Sequence, residues 1–453
     1  MIFFDESIEK FLKHLVRLQG IEFVRDGYVL RDTTGKLAFI CNQAMPGDSK
    51  EKIIKKIKKI LPNYSRDNDC IMDIEQPGVQ SIINNGNCHY EKFNFNIGKI
   101  IYPVDVRIID HRMIGSDWLI APECMPKSSG AVRIVFASMK GGVGRSTALV
   151  VLAAELARQG RTVLTVDLDL EAPGLGSMLL AEREKPLFGS LDWYVESGVG
   201  GVKADDREFL NSMIAASSFG GNQGTIDVVP AVGRNADTCP ANVLAKLSRA
   251  YLDQPQDSGQ SLSFLTRTRT LIDQLASWKH YDAILIDARA GLSELTAAAL
   301  LGLNADVLLF GVNTPQTFAS YRYLLAHLAR FIKEENRDWI YRFRMIHAKA
   351  PANLEQQKMF RDRAYEIFSE FFYKEYNFFM KSDEDASSVL EEPGLDDPSA
   401  PHYAWPILSN SQFMEFDPLA DSIQLDRIVY ESTFGSLMRG VSEWLEIPEG
   451  IAP

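Results

Sequence analysis

A single loop limits what this chain can be. Residues 132–137 are an apolar run of strand type, an apolar helix closed by Arg158-Gln159-Gly160 follows some ten residues later, and between them stands Ser138-Met139-Lys140-Gly141-Gly142-Val143-Gly144-Arg145-Ser146-Thr147. Strand, glycine loop and helix in that order make a phosphate cradle. The three glycines let the backbone turn so that successive N–H groups face inward, and the first turn of the helix presents its positive dipole end to an anion. Ser146 stands where a hydroxyl can be offered to Mg2+. The nucleotide-binding set expected from the loop is Lys140, Gly141, Gly142, Val143, Gly144, Arg145, Ser146 and Thr147.

At 453 residues the chain is too long for one hydrophobic core, so two or three domains are expected. A net charge of −12 argues against a protein that coats nucleic acid by bulk attraction. The five cysteines, Cys41, Cys70, Cys88, Cys124 and Cys239, contain no C-x-x-C pair, which removes zinc ribbons and disulfide frameworks and fits a reducing cytosol. Asp5, Glu6 and Glu9 are unlike a secretory leader, and no apolar run has the length of a membrane span. A cytoplasmic protein is expected.

Residues 5–18 place Ile8, Phe11, Leu12, Leu15 and Val16 at helical spacing, and Tyr28–Leu30 and Leu37–Cys41 flank the turn-forming Asp32-Thr33-Thr34-Gly35. A second helix is expected over 50–61, with strands near 70–74 and 100–109. Residues 1–121 thus form a smaller α/β (α+β) N-terminal domain, followed by a Pro- and Ser-containing linker at 122–130. From 131 to 450 apolar strands alternate with helices, the pattern of a doubly wound, mainly parallel α/β sheet. Six strands are expected there: 132–137, 162–166, 225–229, 283–286, 307–310 and 343–346. Insertions interrupt the alternation near 189–223 and 383–400, the second acidic and expected to be a mobile surface loop.

The standard phosphate-loop pattern G-x-x-x-x-G-K-[ST] fails twice, because Met139 and Arg145 stand where Gly and Lys are required. The loop instead resembles the deviant Walker A sequence K-G-G-x-G-K-[ST] of the ParA/MinD family of P-loop ATPases (SIMIBI class), with Lys140 in the place of the extra lysine. Further matches are Asp167-Leu168-Asp169, Asp287 after Ile284-Leu285-Ile286, Ile226-Asp227-Val228-Val229-Pro230-Ala231 and Asn313-Thr314-Pro315. The Lys-Gly-Gly-Val-Gly-Arg loop and the segment Asp167 to Gly174 are similar to a subset of ParA-like proteins.

The resemblance implies ATP and Mg2+ as cofactors and an ATP-dependent homodimer in which Lys140 crosses to the nucleotide of the second subunit. It makes Lys140, Arg145 and Asp169 the catalytic candidates, Asp169 lying beside the attacking water. Ser146, Asp167 and Asp287 become the metal-side candidates. Arg145 is the main departure, since a planar guanidinium does not replace a compact ammonium conservatively. The resemblance implies an ATPase acting as a switch on a partner protein. Two alternatives stand beside it: a nucleotide-sensing interaction module with little hydrolysis, as suits a bacterial regulatory or antiphage-defence operon, and a DNA-partition ATPase.

His347 stands near the place where the family presents an Asn to adenine, and can be read either as its substitute or as a histidine at a strand end. The lysine-rich stretch 50–61 fits a core-packing helix with a solvated lysine face. Asp110, His111 and Asp117 match no known metal spacing. The acidic C-terminal helix does not suit membrane docking. Cys239 alone cannot supply the cluster ligands of nitrogenase-reductase-like chemistry.

Overall fold

The computed structural model describes residues 2–66, 69–85, 88–112, 114–122, 130–200, 206–220, 223–255, 261–332, 337–373 and 392–446. Most of the expected linker and the acidic stretch through residue 391 lie outside the described residues. The chain divides into two compact units, Met1–Ile120 and Ala121–Pro453.

In the first unit, helix Phe4–Gln19 turns Ile8, Phe11, Leu12 and Leu15 inward, the i, i+3, i+4, i+7 stripe visible in the sequence. Its strands are β1 (Tyr28–Arg31), β2 (Leu37–Cys41), β3 (Ile71–Asp73), β4 (Cys88–Ile97) and β5 (Ile100–Asp110), in the spatial order β3-β2-β1-β5-β4. β1 and β2 form the expected hairpin. Asp32 closes its turn by accepting hydrogen bonds from the backbone N–H groups of Thr34 and Lys36 at 2.9 and 3.0 Å. Helix Gly47–Ile60 buries Ile53 and Ile57 and leaves Lys52, Lys55, Lys56 and Lys59 exposed, as its pattern predicts. β4 was not expected: Tyr90, Lys92, Asn94 and Asn96 alternate outward, and only Phe93 and Phe95 supply apolar residues to the inner side.

The second unit is built on β6 (Val132–Ser138), β7 (Thr162–Asp167), β8 (Ala215–Ala216) and β9 (Thr225–Val229), then, beyond a small ribbon of β10 (Gln254–Pro255) and β11 (Ser261–Leu262), β12 (Ala283–Asp287), β13 (Asp306–Gly311), β14 (Phe343–Ala350) and β15 (Trp405–Leu408). Eight of these form one sheet in the order β15-β14-β13-β6-β12-β7-β9-β8, parallel throughout except for β8. All six expected strands are present. The two extra ones are the sheet's edges: β8 has two residues, and β15 carries Pro406, which a sequence pattern demotes.

Both faces of the sheet are dry, as crossover helices require. Ile134, Phe136, Leu285, Leu308 and Phe310 pack with Leu149 and Leu152 of helix Arg145–Arg158 and with Tyr430 and Phe434 of helix Arg427–Glu446. The alternate residues Val135, Ala137, Ile284, Ile286, Val307 and Leu309 are equally buried. Helix Glu294–Leu301 packs on β6 and against helix Phe264–Trp278. The stretch 189–223 is partly helical, with Ser190–Gly198 and Arg207–Asn211, and it seats Trp193, Tyr194 and Met213 in the interior.

The chain runs from β6 outward through β7 to β9, returns to insert β12 between β6 and β7, and then crosses β6 to lay down β13, β14 and β15. That reversal opens a crevice at the carboxyl ends of the central strands, where ligands of open α/β sheets bind. Register aligns the ends themselves: Asp287 lies opposite Asp167 on one side and Phe136 on the other.

At the far edge, Gly440 faces Trp405 so closely that a Cβ would meet the indole at 2.3 Å, and Trp405 is itself backed by Trp444 and Arg344. In an open helix Gly→Ala would stabilise by ~1 kcal/mol. Here Gly440→Ala is expected to destabilise the second unit by about 1–3 kcal/mol through overpacking, read as a lower urea midpoint.

Candidate functional site

The glycine loop leaves β6 at Ser138 and enters helix Arg145–Arg158 through Gly144. Gly142 and Gly144 have φ of +72° and +88°, the left-handed region open to glycine, and added Cβ atoms there would face open space. Val143 is buried and anchors the loop, while Lys140, Gly141 and Gly142 are exposed. Ser138 Oγ donates to the Lys140 carbonyl at 3.0 Å, tying the start of the loop to the strand.

Arg145, expected to face the phosphates, is turned inward and is only 8% exposed. Its Nε donates to Asp287 Oδ1 at 2.5 Å, its Nη2 to Asp169 Oδ2 at 2.9 Å and its Nη1 to Ser138 Oγ at 3.4 Å. Burial works against the guanidinium's charge, but Asp287 and Asp169 more than offset it, and its pKa lies above the ordinary arginine value. The reason for this placement is the local charge: three carboxylates meet at the strand ends, and one fork-shaped cation satisfies two of them.

Ser146 Oγ donates to the other oxygen of Asp287 at 2.5 Å, which brings together two of the three metal-side candidates. Asp167, the third, has a different employment. Its Oδ1 accepts from the Asp169 N–H at 3.0 Å, and its Oδ2 accepts from the N–H groups of Gly174 and Leu175 at 3.0 and 3.1 Å. Its side chain is therefore spent on closing the turn after β7 rather than free beside Ser146. Burial, helped by the neighbouring Asp287 carboxylate, pushes its carboxyl up to about 7. Asp169 is buried, and its Oδ1 has no hydrogen-bond partner among the described residues. An orphaned carboxylate oxygen is expensive unless a water or an ion is to meet it.

This donor set fits a nucleotide with magnesium: a hydroxyl and a carboxylate in contact, a second carboxylate with one buried oxygen unpartnered among the described residues, and an exposed loop of glycine amides. Among the described residues no group of three or more His, Cys, Asp or Glu side chains is arranged to hold a metal ion, so phosphate oxygens and water would have to complete the shell.

Lys140 is exposed, its Nζ lying 3.5 Å from Gln316 Oε1. His347 is buried in β14 at 2% exposure, and its ring stacks on Phe360 at 4.1 Å between centroids. Burial lowers its pKa to about 4. The sequence reading missed Lys349, whose Nζ donates to the Gly142 carbonyl at 2.8 Å. It also missed the Glu171 carboxylate, which pairs with Arg289 and accepts from Tyr251 Oη at 3.0 Å. Nothing in local spacing links residues so far apart in sequence; only the strand order does.

Residues 131–339 match the AAA_31 family, described as an AAA domain. An iron-sulfur cluster carrier protein of Pseudomonas fragi is 29% identical over 189 residues, which are 41% of this chain and 50% of the relative. The cytosolic Fe-S cluster assembly factor cfd1 of Emericella nidulans is 28% identical over 165 residues, 36% of this chain and 46% of the relative. The chain thus spans half or less of the length of these curated relatives. Among solved structures, the ParA family ATPase of Chlorobium tepidum TLS is 17% identical with a TM-score of 0.42, covering 70% of this chain and 99% of that one. A plasmid partition protein of Borrelia burgdorferi is 14% identical with a TM-score of 0.38, covering 70% and 100%. The matched residues 131–339 lie in the second unit and take in the glycine loop, Asp167, Asp169 and Asp287. No described helix is long and apolar enough to cross a membrane.

Removing the guanidinium would leave Asp169 and Asp287 buried without a counter-charge. Arg145→Met is therefore expected to cost about 3–5 kcal/mol, visible as a lower melting temperature in nucleotide-free protein. His347 supplies a pH test. Its folded pKa is below its unfolded value of 6.5, so its contribution is complete above pH 6.5 and is lost as pH falls toward 4. Stability at pH 5 should be lower than at pH 7.5 by up to about 2 kcal/mol from this residue alone. His347→Phe, which keeps a ring on Phe360, should flatten that part of the denaturation profile.

Proposed function

We infer that the second unit is an ATP- and Mg2+-dependent molecular switch, dimerising around nucleotide and hydrolysing it slowly, and that the first unit recognises the partner protein it controls. The observation that carries this reading is the meeting, at the end of one sheet, of an open glycine loop, the Ser146–Asp287 pair and the unsatisfied oxygen of Asp169. Loop amides and the first turn of helix Arg145–Arg158 hold the triphosphate. Ser146 and Asp287 hold the metal, which when bound with the nucleotide offsets phosphate charge. Asp169 orients water for in-line attack through its free oxygen. Lys140, exposed and in long contact with Gln316, reaches the nucleotide of the second subunit.

Arg145 sets the pace in this scheme. To meet the phosphates its guanidinium must leave two buried carboxylates, and to stay with them it must leave developing charge on the phosphate uncompensated. Either course slows turnover relative to a free lysine. The same observation favours a second reading, a nucleotide-sensing module that binds ATP and leaves the chemistry to a partner. The cluster-carrier activity named for the relatives is not extended to this chain. Cys239 is the one cysteine among the described residues of the second unit, and it is exposed.

Single-turnover hydrolysis of ATP by wild type, Asp169→Ala and Arg145→Lys separates the two readings. The switch reading expects measurable turnover that falls roughly a hundredfold or more in Asp169→Ala and rises or persists in Arg145→Lys. Tight Mg-ATP binding with no turnover in any of the three would favour the sensor.

A further inference from the structure

We propose that Lys349 is a positioning residue of the nucleotide site: its ammonium clamps the Gly142 carbonyl and so presets the Gly142–Val143 peptide to receive a phosphate. The inference rests on the nucleotide-binding reading of the loop and adds to it a residue 207 positions away in sequence from the glycine it holds.

Three observations converge on it. The first is a register shift. β14 and β15 pair at His347↔Pro406 and resume at Ala350↔Leu408, so β14 takes three steps where its partner takes two. One extra residue is bulged out, a device that re-aims a side chain where plain alternation would misplace it.

The second is backbone strain. Lys349 has a φ of +50°, shared among the described non-glycine residues only by Asn304. Asparagine visits this region readily, whereas a lysine gains nothing from it locally and pays ~1 kcal/mol. Something outside the strand must hold the lysine there.

The third is the contact itself. Ala348 and Ala350 are buried on either side, Lys349 is exposed, and its Nζ lies 2.8 Å from the Gly142 oxygen. A trans peptide sets C=O and N–H on opposite sides, so holding the Gly142 carbonyl on Lys349 directs the Val143 N–H the other way. Gly142 itself adds little restraint to this peptide, having no side chain and, at φ +72°, open space around its Cα. Arg145 does not restrain it either, being engaged by Asp169 and Asp287. A cation at this position also lends positive charge to the rim of an anion site. Preordering one amide before the ligand arrives lowers the cost of binding.

The test uses the full chain, the fluorescent ATP analogue mant-ATP with Mg2+, and thermal melting of the same samples. Lys349→Met is expected to weaken binding about tenfold while leaving the melting temperature of the nucleotide-free protein unchanged. Lys349→Gly, which relieves the strained φ, should melt at or above the wild-type temperature and still show the affinity loss. Lys349→Arg should retain most of the affinity. Wild-type affinity in both Lys349→Met and Lys349→Gly overturns the clamp and leaves the nucleotide reading intact. A wild-type chain that binds no nucleotide at all would sink both.

Discussion

The candidate site of this protein turns on one fork-shaped cation. Arg145 lies at the first turn of the helix that follows the glycine loop, yet its guanidinium points back under the loop to join Asp287, at the end of β12, with Asp169, just past the end of β7. Those strands are neighbours only because the chain doubles back to insert β12 beside β6. The ion network thus fastens three chain segments at the point where the sheet changes direction. It also fixes the electrostatics of the crevice: buried acids are neutralised from within, and any anion or cation entering there would compete for partners that are already engaged.

A lysine at this position would behave differently. Its ammonium is a point charge on a flexible stem and can be shared between a carboxylate and a phosphate oxygen with little rearrangement. The guanidinium instead satisfies two acceptors in fixed directions, one through Nε and one through Nη2. Exchange of Lys for Arg in the loop therefore changes the starting state of the site as much as its ligand contacts.

Much of this was legible in the linear sequence, for reasons that can be traced residue by residue. The glycine loop is local, and buried parallel strands announce themselves as unbroken apolar runs, so the six central strands and the loop followed from pattern alone. The edges did not: β8 is too short, β15 contains Pro406, and β4 alternates polar residues outward with few apolar ones inward. Among the site residues, the structure brings Ser146 and Asp287 together. The orientation of Arg145 and the engagement of both Asp167 oxygens were not readable, because each depends on which strand ends the fold brings side by side. Lys349 was invisible for a further reason, since its placement depends on a bulge that no periodicity signals.

Asp167 holds the turn that follows β7. One carboxylate gathers the amides of Asp169, Gly174 and Leu175, while the carbonyl of the same residue takes the hydroxyl of Ser190. A segment whose two ends are pinned to a common anchor cannot loosen gradually from either side. Loss of that one side chain would release three amides together. A displacement of Asp169 would then reach Gly174, Leu175 and Ser190 through this one residue.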